Sequence, residues 1–243
     1  MVAGMIRQDV IAQNLANVDT PGYKKDVALV GSFADEMAVR VEHRGRWRLA
    51  RSVPIGSLGS GAYVRGTGFD RSEGPIIETG ASLDLAIRGE GYFVVQTPEG
   101  EAYTRSGSFT LNSRGELVTM DGMQVLGEAG PIVIPSGGTV EVHGDGRVTA
   151  GGQALGRLRL VAFDDPFSLR KMGAGLFAAP AGAAHAAQAT VVRQGFLEMS
   201  NVTAVTEMVQ MIAGMRAYET CQRVIWFLDQ TLDKAINDVG RVA

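Results

Sequence analysis

The sequence has few of the residues from which most enzyme and metal sites are built. Its 243 residues include one cysteine, Cys221, which excludes an internal disulfide and a cysteine-based metal site. The three histidines, His43, His143 and His185, lie far apart and show no paired zinc-ligand spacing. No serine stands in a G-x-S-x-G motif, and no complete dinucleotide or phosphate loop occurs. We therefore expect no cofactor, no metal and no enzymatic activity.

The net charge is small, and long apolar runs are absent from the sequence. The 23 basic and 26 acidic residues give a net charge of −3, which argues against a nucleic-acid partner. No apolar run approaches the roughly 20 residues that a membrane-spanning helix needs, so we expect no direct membrane insertion. Residues 1–17 include Arg7, Gln8 and Asp9 and do not form a signal-peptide core. The sequence alone thus indicates a cytoplasmic protein, or one exported without cleavage.

Carboxylates are the one possible source of chemistry, because two of them at the right separation suffice for sugar hydrolysis. Asp84 and the pair Asp164–Asp165 are the candidates. Consecutive aspartates before a proline, here Pro166, are more typical of a turn. A carbohydrate-binding or wall-remodelling β domain with helical appendages remains an alternative function.

The C-terminal region has the clearest pattern in the chain. Between about Val202 and Val239, apolar residues recur at steps of three, four and occasionally six, which predicts a long amphipathic helix. A proline-free helix longer than about 20 residues indicates a coiled coil, although Gly214 weakens it by about 1 kcal/mol relative to alanine. The seam includes Met208, Ile212, Met215, Ile225, Leu228 and Leu232.

A shorter helix is predicted at the N-terminus. Ile11, Leu15 and Val18 follow one another at i, i+4 and i+7, and the helix should stop at the Thr20–Gly22 turn that contains Pro21. Neither terminal helix has a partner nearby in sequence. Each is therefore expected to bury its seam against the other helix or against copies from other molecules.

Strands dominate the predictions for the middle of the chain. Its many glycines and turn signals separate short runs, among them 83–87, 92–96, 116–120 and 158–163, and favour an antiparallel sandwich or irregular barrel. Residues 27–41 could be helical or extended, and residues 54–68 look loop-like. The predicted class is α+β, with paired terminal helices in a coiled-coil-like layer. The expected divisions are an N-terminal helix at 1–23, an extended connector at 24–80, a β-rich domain at 81–190 and a C-terminal helix at 191–243.

Three groups of motifs resemble the rod and hook family of bacterial flagellar axial proteins. Near the N-terminus, residues 14–24 read NLANVDTPGYK. In the middle, LDLAI, GEGYF, YTR and GSF follow one another within residues 83–109, and near the C-terminus QGFLE, SNV and RAYE occur within residues 194–219. The likeness covers nearly the whole chain, in the family's order, and the length is similar to that of the proximal or distal rod members.

This resemblance implies a structural subunit of the flagellar basal-body rod, which crosses the cell envelope. It implies that the subunit polymerises into a helical tube, with the terminal helices inside and the β domain outside. The implied partners are copies of itself, other rod and hook proteins, and the flagellar type III export apparatus, which cleaves no signal peptide. The resemblance also adds Tyr218, in RAYE, to the expected interface. A junction or scaffold protein that binds rod components without polymerising is a further alternative.

Asn14 and Asn17 lie three residues apart on one face of the N-terminal helix. Their amides could donate and accept hydrogen bonds across a subunit interface and fix its register, as buried asparagines do in coiled coils. The alternative is that they merely cap or solvate the end of the helix.

The chain departs from the family pattern in two respects. Family members usually have one or two further helical turns before the position of Met1, so this N-terminus is expected to be short. Met199 stands where the family commonly has glycine, and Gly214 interrupts the C-terminal helix. Because exposed seams cannot be buried by one molecule alone, we also expect the terminal helices to be largely unfolded before subunits add.

Overall fold

The structure is a computed structural model that describes residues 2–32, 36–42, 51–58, 61–135, 139–164, 169–180, 182–187 and 190–240. The chain forms two compact units, and each is assembled from segments that are distant in sequence. The first unit comprises Met1–Gln13, Asp26–Gly68 and Val205–Ala243. The second unit comprises Asn14–Lys25 and Phe69–Ala204.

An α-helix lies at each end of the chain, as the sequence predicts. Helix α1 spans Val2–Ala16 and α2 spans Ala204–Gly240, close to the predicted 202–239. The 37 residues of α2 extend over about 55 Å at about 1.5 Å per residue. After α1 the chain turns, and Gly22 has a φ of 70° that favours glycine. Within the described residues, neither helix combines the length and apolar character that a membrane span requires.

Four strands form in the region between residues 24 and 70. They are β1 Asp26–Ser32, β2 Glu36–Glu42, β3 Arg51–Leu58 and β4 Ala62–Phe69. Strand β1 pairs with β4, and β2 pairs antiparallel with β3. Of the two alternatives for residues 27–41, the extended one is therefore correct in the described part. The loop-like interpretation of residues 54–68 is wrong in the described part, because strand pairing holds residues 54–58 and 62–68 extended.

The second unit is β-rich. Its strands are β5 Ile76–Glu78, β6 Leu85–Arg88, β7 Tyr92–Thr97, β8 Gly100–Thr104, β9 Phe109–Leu111, β10 Leu117–Thr119, β11 Gln124–Gly127, β12 Gly130–Pro131, β13 Val140–Val142, β14 Arg147–Ala150, β15 Gln153–Arg157, β16 Leu160–Phe163, β17 Arg170–Gly173, β18 Leu176–Ala178, β19 Ala184–Ala186, β20 Val191–Gln194 and β21 Phe196–Glu198.

A ten-stranded antiparallel sheet organises this unit. Its main path runs β17-β18-β8-β7-β11-β10-β9, with β12, β16 and β19 attached at its sides. Strands β13, β14 and β15 form a separate three-stranded sheet. Two pairs join distant segments, since β20 pairs with β6 and β21 pairs with β5. The segment that leads to α2 is therefore hydrogen-bonded to residues 76–88, which lie early in the Phe69–Ala204 part of this unit.

Strand β7 is buried on both faces. Phe93 and Val95 point into one apolar core, and the alternating residues Tyr92 and Val94 point into another. All four side chains are buried, and the ring of Phe93 meets that of Phe109 edge-on with centroids 5.1 Å apart. The predicted strand at 92–96 is thus confirmed, and it is the central strand of the unit.

Replacing Phe93 with alanine should lower the free energy of unfolding by about 3–5 kcal/mol, because the substitution leaves a cavity in the first of these cores. The matched control is Met120→Ala at a largely exposed position, which should change it by less than about 0.5 kcal/mol. Urea unfolding followed by near-ultraviolet circular dichroism measures both. Equal midpoints for the two variants would contradict the position of Phe93.

Candidate assembly interface

The predicted seam of α2 is exposed. Met208, Ile212, Met215, Ile225, Leu228 and Leu232 each have between 47% and 59% of their surface accessible. Tyr218, which only the family resemblance singled out, is half-buried. A stripe of large apolar side chains along a helix is typical of a surface that a partner covers.

The apolar character of α2 extends around the whole helix in one region. Val224, Ile225, Trp226, Phe227 and Leu228 are consecutive, and all five are exposed. Successive residues are rotated by about 100°, so five of them cover every side of the helix. A helix that is apolar all round is usually buried among several neighbours. The predicted seam did not include Val224, Trp226 and Phe227, although the uninterrupted apolar run in the sequence indicated them.

The candidates near the N-terminus are less accessible. Asn17 and Val18 lie in the turn after α1, because the helix ends at Ala16 and not at the predicted Thr20–Gly22 turn. Ile11 and Asn14 are buried, whereas Leu15, Asn17 and Val18 are half-buried. The side-chain oxygen of Asn14 accepts a hydrogen bond from the Tyr23 hydroxyl at 3.1 Å. That of Asn17 accepts one from the Thr20 hydroxyl at 3.2 Å.

Both asparagines therefore use their side-chain oxygens within their own chain, at the turn that ends α1. Neither alternative from the sequence included this arrangement. A buried and hydrogen-bonded Asn14 is not simply solvating the end of the helix.

Helices α1 and α2 together line a hollow in the first unit. The hollow has a volume of about 190 Å³, and Ile11 and Tyr218 are among the residues that line it. Gly214 lies at its α2 side, where an added β-carbon would be 3.5 Å from Cγ of Gln8. Two of the predicted interface residues, one on each helix, are thus brought to the same place.

The second unit buries a cluster of charge beside the segments that lead from α1 and into α2. One carboxylate oxygen of Glu198 accepts hydrogen bonds from Nζ of Lys24 at 2.6 Å and from the amide of Gly74 at 3.1 Å. Its other oxygen accepts one from Arg105 at 3.3 Å. At most 5% of each of the three charged side chains is exposed. We call Lys24, Arg105 and Glu198 the junction cluster.

Each charged side chain of the junction cluster is buried and has a polar or charged partner. Burial lowers the pKa of Lys24, and the charge of Glu198 opposes this shift. The guanidinium of Arg105 also donates to the carbonyls of Ile87 and Gly89, at 3.2 and 2.7 Å. Glu198 contacts both cations, and its single negative charge offsets one of their two positive charges.

Backbone hydrogen bonds reinforce the cluster. The amide of Gly22 donates to the carbonyl of Glu198 at 2.7 Å, and the amide of Lys25 donates to the side chain of Asn201 at 2.7 Å. The amide of Asn201 in turn donates from its side chain to the carbonyl of Ser72 at 3.2 Å. The chain therefore leaves α1 and approaches α2 along one hydrogen-bonded strip.

Two glycines allow backbone segments of the second unit to approach each other closely. A β-carbon on Gly22 would overlap the backbone of Ser106, and one on Gly107 would overlap the carbonyl of Leu85. These glycines belong to the motifs PGYK and GSF, which are far apart in sequence. The sequence predicted a turn at Gly22, but it indicated neither the close approach to Ser106 nor any physical role for Gly107.

The candidate catalytic carboxylates make local contacts instead. Asp84 accepts a hydrogen bond from the Thr79 hydroxyl at 2.7 Å, and Asp164 lies 3.7 Å from Nε2 of His185. Asp165 and Pro166 lie outside the described residues. In the part of the chain that is described, no three histidine, cysteine or acidic side chains are grouped to hold a metal.

Comparison with known protein families matches three segments of the chain. Residues 2–24 match the family described as flagella basal body rod protein. Residues 86–150 match the D1 domain of the flagellar hook protein FlgE/F/G, and residues 193–238 match the C-terminal region of the flagellar basal body rod FlgEFG protein. Together these segments define a flagellar axial protein.

Curated relatives are similar over almost their full length. The flagellar basal-body rod protein FlgG of Buchnera aphidicola (subspecies Acyrthosiphon pisum) is 36% identical, over 96% of this chain and 94% of the relative. FlgF of Caulobacter vibrioides is 34% identical, over 96% and 92%, and FlgG of Bacillus subtilis is 33% identical, over 94% and 92%.

The chain therefore belongs to the family of flagellar basal-body rod proteins. It is a structural protein of the flagellar basal body and not an enzyme. The resemblance of its motifs to this family is confirmed.

Replacing Glu198 with glutamine should lower the free energy of unfolding by about 3–5 kcal/mol, because it leaves two buried cations without their carboxylate. Lys24→Met removes a charge whose burial is only partly compensated, and Glu198 keeps its bonds to Arg105 and Gly74. We expect Lys24→Met to be milder by about 2 kcal/mol. Urea unfolding of both variants makes the comparison, and an equal loss of stability would contradict the central position of Glu198.

Proposed function

We propose that the protein polymerises into the tube of the flagellar rod, with copies of itself and with other rod and hook proteins. The observation that carries the proposal is the exposed apolar surface of α2. A single chain leaves this surface in water, where burying each large apolar side chain would gain about 1.5–3 kcal/mol. Membership in the rod family supports subunits of the same kind as the partners that bury it.

The proposed contact surface is a layer in which α1 and α2 pack in a coiled-coil-like manner. The hollow that both helices line supports their side-by-side packing. Buried Ile11 and Asn14 would act by positioning α1 within its own chain. The residues proposed to face neighbours are Leu15, Asn17, Val18, Met208, Ile212, Met215, Tyr218, Ile225, Leu228 and Leu232.

The proposal also covers where the subunit is located and how it is exported. The rod would cross the cell envelope, and the flagellar type III apparatus would export the subunit without cleaving it. Family membership supports this route. The mass of the subunit in purified basal bodies tests it, because a cleaved leader would make the incorporated chain shorter than the translated one.

Leu228→Glu should weaken assembly roughly ten- to a hundredfold, which corresponds to about 1.5–3 kcal/mol of lost apolar burial per subunit. Leu228→Met is the matched control, since it keeps an apolar side chain of similar volume and should assemble normally. Sedimentation over a range of concentrations measures the critical concentration of each variant.

Because Leu228 is exposed in the single chain, neither substitution should change the urea midpoint of the β-rich unit. Assembly of Leu228→Glu at the same concentration as the unaltered chain would contradict the proposed interface. Circular dichroism during assembly tests the further proposal that the terminal helices gain order when subunits add.

A further inference from the structure

The hollow between α1 and α2 has the size and chemistry of a receptacle for one aromatic ring. Small residues leave the space open: Gly4 on one helix, and Gly214 and Ala217 on the other. An apolar cavity of about 150 Å³ is enough to hold benzene. At about 190 Å³, this hollow can accept a larger ring from outside.

The chain carries an isolated aromatic side chain that would suit it. Trp226 is 62% exposed. Its neighbours on the same face of α2 are Gln222 and Arg223 one turn before, Asp229 and Gln230 one turn after, and Asp233 two turns after. Arg223 is paired with Glu219 at 3.6 Å. Phe227, by contrast, lies beside Val224 on the apolar part of the helix. Because Arg223 is paired with Glu219, Asp229 and Asp233 leave the surroundings of Trp226 acidic on balance, which suits a partner that is apolar at its centre and basic at its edge.

The hollow combines a mostly apolar lining with one positive charge. Arg7 is exposed and lines the hollow, so it adds a positive charge to an otherwise apolar site. Among the described residues, neither Arg7 nor Asp229 nor Asp233 forms an ion pair within the chain. A guanidinium beside an indole also gains a cation–π attraction, and tryptophan is the best ring for it.

Trp226 cannot reach the hollow of its own chain. It lies on the same continuous helix, about 8 to 18 Å along the axis from the α2 residues that line the hollow. A Trp226 side chain in the hollow must therefore come from another molecule.

We propose that Trp226 of a second copy inserts into the hollow between α1 and α2, with Asp229 and Asp233 of that copy facing Arg7. This pairing rests on the proposed self-assembly and names the contact through which one subunit holds the next. It also assigns a role to Gly214, since a larger residue there would fill the receptacle.

Cross-linking between two kinds of chain tests the pairing, because Cys221 lines the hollow and is the only cysteine. One chain carries Trp226→Cys with Cys221→Ser, and its partner is the unaltered chain with a different tag. A disulfide needs β-carbons within about 4.5 Å, and the proposal places the indole ring rather than the β-carbon of position 226 in the hollow. A short bismaleimide cross-linker should therefore join co-assembled chains into a mixed dimer through positions 226 and 221. Phe227→Cys with Cys221→Ser is the matched control and should cross-link about tenfold less.

A second measurement keeps the tryptophan in place. Gly214→Leu should fill the hollow and raise the critical concentration about tenfold, whereas Gly214→Ala adds one methyl at an ordinary contact distance and should leave it unchanged. Arg7→Glu should weaken assembly, and adding Asp229→Arg in the same chain should restore it.

The outcomes separate this inference from the function on which it rests. If the unaltered chain stays monomeric at every concentration, self-assembly itself is wrong. If it assembles but positions 226 and 227 cross-link equally and Gly214→Leu has no effect, only the docking of Trp226 is wrong.

Discussion

The buried carboxylate of Glu198 is the constraint on which the junction of the second unit depends. It accepts hydrogen bonds from Lys24, from Arg105 and from the backbone of Gly74, three segments that are distant in sequence. Breaking a buried ion pair on one side leaves an uncompensated charge, so loss of Glu198 would release all three contacts at once. Lys24 follows α1 and Glu198 precedes α2 in sequence, so the cluster ties together, within the second unit, the segments that come from one helix and lead to the other.

The two kinds of surface in this protein follow opposite rules. The second unit satisfies its buried charge internally and places β7 between two apolar cores. Helix α2 does the reverse, since it exposes large apolar side chains on every side between Val224 and Leu228. Such exposure is a liability for a solitary protein, and it becomes useful only where several neighbours cover the helix. In the proposed polymer, α2 would supply the cohesion while the β-rich unit keeps a stability of its own.

Local patterns predicted the elements that local forces determine. The 3.6-residue period located both helices, and the run at 92–96 located β7, because burial of a periodic face depends on neighbouring residues. The loop-like interpretation of residues 54–68 failed because pairing with β1 and β2 overrides glycine's weak strand preference. The junction cluster lay beyond prediction for the same reason. Lys24 and Glu198 are separated by 174 positions, and no periodicity connects them.

Gly214 lowers the stability of α2 as an isolated helix, but its small size suits its position in the structure. In an isolated helix it weakens α2 by about 1 kcal/mol relative to alanine, and sequence reasoning could treat it only as an interruption. In the structure it lies opposite Gln8 and lines the hollow between the helices. A long helix packed among neighbours does not depend on intrinsic propensity for its stability, because tertiary contacts supply most of it. The chain can therefore accept a poor helix former where the missing side chain leaves room for a neighbour's.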